Sequence, residues 1–331
     1  MRSATLTTSR ATAQPRVAII GSGISGLAAA HRLAGAADVT LFEAADYFGG
    51  HTHTVDVTLA GKNGPVTHGV DTGFLVFNER TYPQLIQLFA ELGVVTAPSE
   101  MSFSVKVPAS HAAGQQRQHG ALEWSGSSLN SVFAQRSNLL HWRFFRMLRD
   151  ILRFNQRCTA LAESGAETAM QQPLAGFLKQ EKFSDEFRDW YFLPMMGCIW
   201  SCPTDQMLAF PVATMVRFCH NHGLIQITNR PQWYTVAGGA RQYVEKITAH
   251  IADKRLNTPV QQVLRDEQGV RVVTKGQVER FDKVVLAAHS DQSLALLADA
   301  TPAEQQVLGA IRYHPNRALL HTYASAPTHA N

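Results

Sequence analysis

The feature that most constrains this chain is a run of three glycines, Gly21, Gly23 and Gly26, spaced G-x-G-x-x-G. A short apolar segment, Arg16–Ile20, precedes the run, and Ile24–Leu33 follows it with apolar residues at helical spacing. A strand, a glycine turn and a helix in this order are typical of the phosphate-binding turn of a dinucleotide site. The sequence therefore predicts a Rossmann-like β–α–β unit near the N-terminus.

Each glycine of the turn has a predicted role. The first permits a tight turn, the second lets a pyrophosphate approach the backbone, and the third lets the helix pack closely against the strand. Free N–H groups at the helix N-terminus favour phosphate. Glu43 follows the next predicted strand, Val39–Phe42, and we expect it to accept hydrogen bonds from an adenosine ribose. A glycine turn without a ligand is the alternative.

Composition sets the broad class of the protein. A length of 331 residues suggests two domains, and 45% apolar with 17% charged residues indicates a large core. A net charge of +4 is too small to indicate a nucleic-acid partner. No apolar run is long enough for a transmembrane helix. We expect a cytoplasmic protein without bound metal, whose four cysteines are reduced, buried thiols: Cys158, Cys198, Cys202 and Cys219.

Strand and helix patterns at both ends of the chain surround a helical middle, which predicts an α/β fold with an inserted domain. Helices are expected over residues 82–92, 139–158 and 174–180, and late strands over residues 260–264, 270–274 and 283–287. The predicted organisation is a disordered tail over 1–15, a discontinuous nucleotide-binding domain over 16–80 plus 232–292, and an α+β, mainly helical substrate or cap domain over 81–231 plus 293–331.

Further motifs resemble the flavin-containing amine oxidoreductases, a family that includes monoamine oxidases, phytoene desaturases and protoporphyrinogen oxidases. The motifs are Phe48-Gly49-Gly50-His51-Thr52, Asp71-Thr72-Gly73, Val236-Ala237-Gly238-Gly239 and Asp282-Lys283-Val284-Val285-Leu286-Ala287-Ala288. The resemblance spans about Val17 to Leu297. It implies FAD as the cofactor, held by a Rossmann-like FAD-binding domain of the GR2 or amine-oxidase type.

The resemblance also implies which residues hold FAD. The pair Gly49-Gly50 would wrap the pyrophosphate, and Val260 would offer backbone groups to the adenine. Many family members have an arginine beside the glycine pair; here His51 either supplies that positive charge or the contact is absent. The implied cofactor-binding residues are Gly21, Ser22, Gly23, Ile24, Ser25, Gly26, Glu43, Ala44, Gly49, Gly50, His51, Thr52, Gly73, Gly238 and Val260.

Shorter motifs resemble a bacterial subgroup of NAD/FAD-dependent oxidoreductases associated with fatty-acyl modification. They are Trp200-Ser201, Phe210-Pro211, Asn221-His222-Gly223-Leu224, Pro231-Gln232-Trp233 and His289-Ser290-Asp291. The resemblance implies an FAD-dependent oxidoreductase that takes a hydride from a substrate C–H bond, by desaturation or amine oxidation, on an apolar or fatty-acyl substrate.

One segment of the family pattern is missing. The family's late glycine-rich segment has no counterpart after Asp291, so the resemblance implies a C-terminally truncated chain. The alternatives to the fatty-acyl enzyme are an amine oxidase, a truncated nucleotide-binding protein without catalysis, and an NAD-dependent dehydrogenase. The glycine pair Gly49-Gly50 argues against the dehydrogenase, because Rossmann dehydrogenases do not need it.

No motif marks catalytic residues. His220, His222 and Tyr234 are candidates because they lie in a stretch rich in Trp, Phe and Met, which is typical of a domain core and also of a channel for a long apolar substrate.

The segment 139–157 is predicted to be a basic amphipathic helix. Such a helix is typical of peripheral membrane contact and also of an ordinary surface helix over a core. Its basic stripe is Arg146, Arg149, Arg153 and Arg157. The residues expected largely on the opposite, apolar face are Leu140, Phe144, Leu148, Ile151 and Leu152.

Overall fold

The computed structural model describes residues 14–108, 121–126, 128–165, 170–226, 230–315 and 317–322. It has an α/β fold, as the sequence predicts, and divides into two compact units. Unit 1 comprises residues 1–75, 84–97 and 235–315, and unit 2 comprises residues 76–83, 98–234 and 316–331. Most of the predicted tail, residues 1–13, and the last residues, 323–331, lie outside the described part of the chain.

The strands of the described residues, in chain order, are β1 (Arg16–Ile20), β2 (Asp38–Phe42), β3 (Thr54–Gly61), β4 (Gly64–Asp71), β5 (Phe77–Asn78), β6 (Thr96–Ser99), β7 (Ser104–Val107), β8 (Leu122–Ser125), β9 (Trp233–Val236), β10 (Asp253–Arg255), β11 (Gln262–Asp266), β12 (Gly269–Thr274), β13 (Gln277–Phe281) and β14 (Lys283–Leu286).

The α-helices are α1 (Ile24–Leu33), α2 (Pro83–Leu92), α3 (Leu129–Val132), α4 (Trp142–Ser164), α5 (Leu174–Gln180), α6 (Asp185–Phe187), α7 (Leu193–Trp200), α8 (Thr204–Met207), α9 (Val212–Asn221), α10 (Arg241–Thr248), α11 (Ser290–Leu296) and α12 (Pro302–Gly309). A 3-10 helix, Arg136–Leu140, precedes α4, and a π-helix, Arg188–Phe192, joins α6 to α7.

Unit 1 is built on a four-stranded parallel sheet in the order β10-β2-β1-β14. Ile20 at the end of β1 pairs with Phe42 on one side and with Leu286 on the other. The last four residues of β1 and of β2 are buried, because helices and loops cover both faces of a parallel sheet. This burial explains why the two strands were predicted from short apolar runs.

Antiparallel strands complete unit 1. Strands β3 and β4 form a long hairpin, and β11, β12 and β13 form a three-stranded sheet. Val263 and Val272 face an apolar cluster together with Phe281 and Phe42. Strands β4 and β13 were not predicted, because most of their side chains are exposed and carry no apolar alternation.

The units differ from the predicted domain boundaries in four places. Residues 76–80 and 232–234 were assigned to the nucleotide-binding domain and belong to unit 2. Residues 84–97 and 293–315 were assigned to the substrate domain by sequence and belong to unit 1 in the structure. Phe89 of α2 packs against Tyr243 of α10 with ring centroids 5.2 Å apart, and the Ser290 hydroxyl donates to the Leu308 carbonyl. The roles of the two domains, FAD binding and substrate binding, stay predictions.

Unit 2 is mainly helical and also contains the antiparallel pair β7 and β8, whose Val105, Leu122 and Trp124 are buried in its core. Its core joins buried side chains of α4, α5, α6, the π-helix, α7 and α9. Phe154 of α4, Phe187 of α6 and Phe192 of the π-helix are among them, and their rings contact one another. Helix α5 has the predicted bounds, whereas α4 begins three residues later than predicted and runs six residues further. No helix among the described residues is long and apolar enough to cross a membrane.

The cysteine prediction is partly wrong. Cys158 and Cys219 are buried in the core of unit 2, and burial raises the pKa of both thiols, that of Cys219 to about 12. Cys198, however, is exposed, and Cys202 is half-buried. The sequence placed all four inside because cysteine is usually buried, but Cys198 lies on the outer side of α7.

Candidate dinucleotide site

The glycine turn lies at the carboxyl end of β1, between the ends of β2 and β14. The Gly21 N–H donates to the Phe42 carbonyl at 2.9 Å, and its φ of 99° lies in the left-handed region that favours glycine. A Cβ at Gly21 would lie 2.7 Å from the Ala287 carbonyl oxygen, and one at Gly26 would lie 1.9 Å from the Gly21 carbonyl oxygen. Both positions therefore exclude any side chain.

Gly23 differs from its two neighbours because the space beside it is open. A Cβ at Gly23 would meet no described atom within 4 Å. Gly23 is the N-cap of α1, no side chain caps that helix, and its first turn holds no acidic residue. A ten-residue helix with an open N-terminus presents free N–H groups and the positive end of its dipole to an anion. These features fit a pyrophosphate. Ile24 and Ser25, the first two helical residues, are exposed at this opening.

Ser22 connects three parts of the site. Its backbone N–H donates to the Glu43 carboxylate at 2.9 Å, and its buried hydroxyl donates to the same oxygen. The Gly49 N–H donates to the Ser22 carbonyl and hydroxyl oxygens, each at 3.1 Å. The other Glu43 oxygen accepts from the Ala45 N–H at 2.9 Å. Glycine turn, acidic residue and glycine pair are therefore fixed relative to one another, with exposed Ala44 beside them.

The glycine pair and its neighbours form a tightly packed loop. A Cβ at Gly50 would lie 3.0 Å from the Gly23 Cα, and one at Gly73 would lie 2.1 Å from the His51 carbonyl oxygen. The buried Thr52 hydroxyl bonds with the Tyr243 hydroxyl of α10. Burial raises the pKa of Tyr243, so its phenol stays protonated as a hydrogen-bonding group.

Three rings form an exposed stack beside this loop. The His51 ring stacks on the His289 ring with centroids 5.7 Å apart, and His289 stacks on Tyr313 at 4.3 Å. The Tyr313 hydroxyl also accepts a hydrogen bond from the Ser290 N–H at 3.2 Å. Sequence reasoning missed Tyr313 altogether, and it quoted His289 only within a motif. The position of His289, three residues after β14, was the signal available for it.

Gly238 belongs to a neighbouring structural turn that starts α10. The Asp71 carboxylate accepts from the Ala240 N–H at 2.9 Å and from the Thr54 hydroxyl, which in turn accepts from the Arg241 N–H at 3.0 Å. Asp71 thus fixes the helix that carries Tyr243. Residue spacing alone could not predict this contact, because Thr54 and Asp71 meet only through the β3–β4 hairpin.

Val260 lies just before β11 and packs against the apolar cluster that contains Ile20 and Phe42. Two residues earlier, the Thr258 N–H donates to the Glu43 carbonyl at 2.9 Å. Val260 therefore belongs to a segment that is held beside the acidic residue. Its predicted contact with adenine stays a prediction.

The three catalytic candidates lie in unit 2 and have different surroundings. The His222 ring stacks on Phe218 at 4.0 Å, and its Nδ1 lies 2.9 Å from the Phe218 carbonyl oxygen. The Tyr234 ring stacks on Phe77 at 6.0 Å. His220 lies in the last turn of α9 and is half-buried. His222 and Tyr234 are thus held by aromatic packing, and their catalytic role stays a prediction.

Comparison with known proteins identifies one family and a common fold. The family model described as flavin containing amine oxidoreductase matches residues 24–328. No curated protein matches the chain. Solved structures with a similar fold include cyclohexylamine oxidase from Brevibacterium oxydans, with a TM-score of 0.65 and 22% identity over 89% of this chain and 63% of that one.

Two other solved structures widen the range of activities within this fold. Putrescine oxidase bound to putrescine has a TM-score of 0.61 and 21% identity over 89% of this chain and 63% of its own. A fatty acid isomerase from P. acnes that produces CLA has a TM-score of 0.52 and 16% identity over 89% and 63%. The chain therefore spans less than two thirds of the length of these structures.

Proposed function

The chain belongs to the flavin-containing amine oxidoreductase family, and on this basis we propose that it is an FAD-dependent oxidoreductase that takes a hydride from a substrate C–H bond. The observation that carries the proposal is the open space beside Gly23 at the N-terminus of α1. Hydrogen bonds of Ser22 fix the position of this turn relative to Glu43 and the glycine pair. These residues fit the dinucleotide form of a flavin, FAD.

Bound FAD supplies the redox chemistry, since its flavin ring accepts a hydride equivalent and passes the electrons to an acceptor. The residues of this chain bind and orient the cofactor. The N–H groups of the first turn of α1 would hold the pyrophosphate, and Glu43 has lone pairs left for the ribose hydroxyls. The ring stack of His51, His289 and Tyr313 would border the pyrophosphate loop.

For the substrate, we favour an apolar or fatty-acyl molecule. The supporting observation is the aromatic series of unit 2, in which Trp200 contacts Phe218, Phe218 contacts His222 and His222 contacts Trp233. An amine is the second candidate, because two of the similar structures are amine oxidases. Peripheral membrane contact through residues 139–157 is part of the same proposal.

The first experiment is an absorption spectrum of the purified chain after incubation with FAD and removal of the unbound cofactor. We expect flavin bands and release of FAD on denaturation. The matched control is Gly23→Ala, which should stay colourless because the methyl group occupies the space of the pyrophosphate. A colourless wild-type chain that is folded by circular dichroism would contradict the proposal.

The second experiment separates the substrate classes. Fatty acids, fatty-acyl thioesters, monoamines and diamines are added anaerobically to the FAD-loaded chain, and loss of the flavin absorption reports hydride transfer. Bleaching by acyl compounds alone supports the first choice, and bleaching by amines alone supports the amine oxidase. A chain that retains FAD but is bleached by none of them would be a nucleotide-binding protein without turnover.

A further inference from the structure

Helix α4 presents an exposed face that combines apolar residues with arginines. Trp142, Phe145, Arg149 and Leu152 follow one another at i, i+3, i+7 and i+10, so their side chains lie on one side of the helix. All four are exposed, Trp142 by 65%. The opposite side, including Phe144, is buried in unit 2. The predicted separation into a basic and an apolar face is therefore wrong for Leu152, which shares the outer face with the arginines.

The apolar surface continues before the helix. Leu140, predicted on the apolar face opposite the arginines, is 87% exposed on the 3-10 helix, and Leu129 of α3 is 81% exposed. Leu139 is exposed as well. The Phe133 ring contacts the Phe145 ring at 5.9 Å, so the short helices and the start of α4 form one surface. We call this the α4 surface, and its apolar members are Leu129, Leu139, Leu140, Trp142, Phe145 and Leu152.

The charge of the α4 surface is positive. Residues 129–157 contain six arginines and a single acidic residue, Asp150, which is buried. Asp150 pairs with Arg149 and Arg153, at 3.4 and 3.5 Å. The other acidic partners are Glu186, shared by Arg143 and Arg146, and Glu181, which pairs with Arg157. The positive charges of six arginines are thus balanced by the negative charges of only three carboxylates.

Arg136 contributes a positive charge to the α4 surface that is not balanced by a carboxylate among the described residues. Its guanidinium donates to two neutral acceptors, the Asn130 side-chain oxygen at 2.7 Å and the Phe133 carbonyl at 3.1 Å. Within the helix, the Arg146 guanidinium lies 4.8 Å from the centre of the Trp142 ring. Cationic groups therefore border the apolar side chains of this surface, as in helices that lie at the boundary between lipid headgroups and acyl chains.

We propose that the α4 surface docks on the surface of an anionic lipid bilayer, with its apolar side chains inserted among the headgroups and its arginines on the lipid phosphates. A bilayer offers an apolar layer bordered by negative charge, which matches both properties of the surface. A second copy of the chain matches less well, because a two-fold contact would place the arginines against each other. This inference deepens the proposed membrane contact and is independent of the flavin chemistry.

The test is co-sedimentation of the FAD-incubated full chain with vesicles of phosphatidylcholine alone or mixed with phosphatidylglycerol. We expect binding only to the mixed vesicles and weakening by salt. The double variant Leu140→Ser/Trp142→Ser should bind about tenfold more weakly, because it removes inserted apolar area. Arg136→Gln should bind about fivefold more weakly and with less dependence on salt.

Val278→Ser is the matched control, because Val278 is 63% exposed on β13 of unit 1 and should be neutral. Equal binding of wild type and double variant, equal binding to both kinds of vesicle, or no sedimentation would overturn the proposal. So would a dimer that the double variant abolishes. The flavin spectrum of the same samples is scored separately, so a chain that binds vesicles but not FAD contradicts the proposed function alone.

Discussion

The Glu43 carboxylate accepts two hydrogen bonds from Ser22, one from its backbone N–H at 2.9 Å and one from its hydroxyl. In this arrangement the acidic residue that follows β2 has a structural role in addition to its proposed role in binding a ribose. It fixes the middle of the glycine turn, and Ser22 passes this constraint to the glycine pair through the Gly49 N–H. The loops of the dinucleotide site are therefore ordered by the protein itself.

Ser22→Ala should weaken this arrangement. The variant leaves the Glu43 carboxylate with one donor fewer and removes the hydroxyl that Gly49 contacts, so we expect the free energy of unfolding to fall by about 1–3 kcal/mol. FAD affinity should fall about tenfold, as measured by fluorescence titration, because the loops lose their fixed spacing. Thr67→Ala, at an exposed position of β4 outside the site, is the control. Unchanged affinity in Ser22→Ala would refute this role.

Gly23→Ala should separate binding from folding. The φ of Gly23 is −62°, which alanine adopts readily, and the added methyl group meets no described atom within 4 Å. We expect an unchanged melting temperature and at least about tenfold weaker FAD binding. Gly26→Ala should lower both the melting temperature and the FAD affinity, since its Cβ would lie 1.9 Å from the Gly21 carbonyl oxygen. If Gly23→Ala binds FAD normally, the pyrophosphate does not pass over this residue.

Variants of His51 test whether this residue balances the negative charge of the pyrophosphate. If its imidazole supplies positive charge, His51→Arg should keep or raise FAD affinity, whereas His51→Ala should lower it about tenfold. His53→Ala is the control, because His53 stacks on Tyr47 and bonds with Thr72. Equal affinities in all three variants would mean that the contact is absent.

Glu186 anchors two arginines of α4 in the core of unit 2. Burial raises its pKa, but hydrogen bonds from Arg146 and Arg143 outweigh burial and leave the pKa below its ordinary value. This stabilisation is therefore present above the unfolded-state pKa of about 4.3 and is lost as the pH falls through the lower, folded-state pKa.

We expect Glu186→Gln to lower the free energy of unfolding at neutral pH by about 3 kcal/mol, because it removes the charge between two arginines. The difference between variant and wild type should shrink below about pH 4. Denaturant unfolding across this pH range measures both. Asp185→Asn, at an exposed neighbouring position, should change stability by less than about 0.5 kcal/mol. A constant difference across the pH range would contradict the ionised state.

The four cysteines should fall into two classes, according to whether they react with a thiol reagent in the native protein or only after unfolding. Burial raises the pKa of Cys158 and Cys219, so they should react with a thiol reagent only after unfolding. Cys198 should react in the native protein, and half-buried Cys202 more slowly. Mass spectrometry of the labelled peptides identifies the sites. Native labelling of Cys158 or Cys219 ahead of Cys198 would contradict the packing of unit 2.

The sequence predicted the parts of the site that rest on local signals. Strand β1, the turn at Gly21 and helix α1 follow one another along the chain, and their apolar spacing and glycines specify them directly. Strand β10 was missed because its three residues, Asp253–Arg255, are polar, although it completes the parallel sheet beside β2. The contact of Tyr313 with His289 was missed because residue spacing alone contains no information about such ring stacks.

The side of α4 that faces solvent was also beyond a sequence prediction. The arginine stripe is visible in the sequence, but its acidic partners Glu181 and Glu186 come from a segment more than twenty residues further along the chain. Leu140 and Leu152 were predicted on the apolar face opposite the arginines, but only the packing of unit 2 determines which apolar residues of this segment are exposed.

Strand β1 of unit 1 has a neighbour from a distant part of the chain: Val17 of β1 pairs with Lys283 of β14. Gly21 likewise packs against Ala287. During synthesis the N-terminal glycine turn leaves the ribosome early, but the strand beside it leaves more than 250 residues later. Unit 2, whose main segment 98–234 is continuous, can fold in the meantime. The glycine turn is thus completed only after β14 has been made, and a ribosome-bound chain ending before β14 has no complete place for FAD.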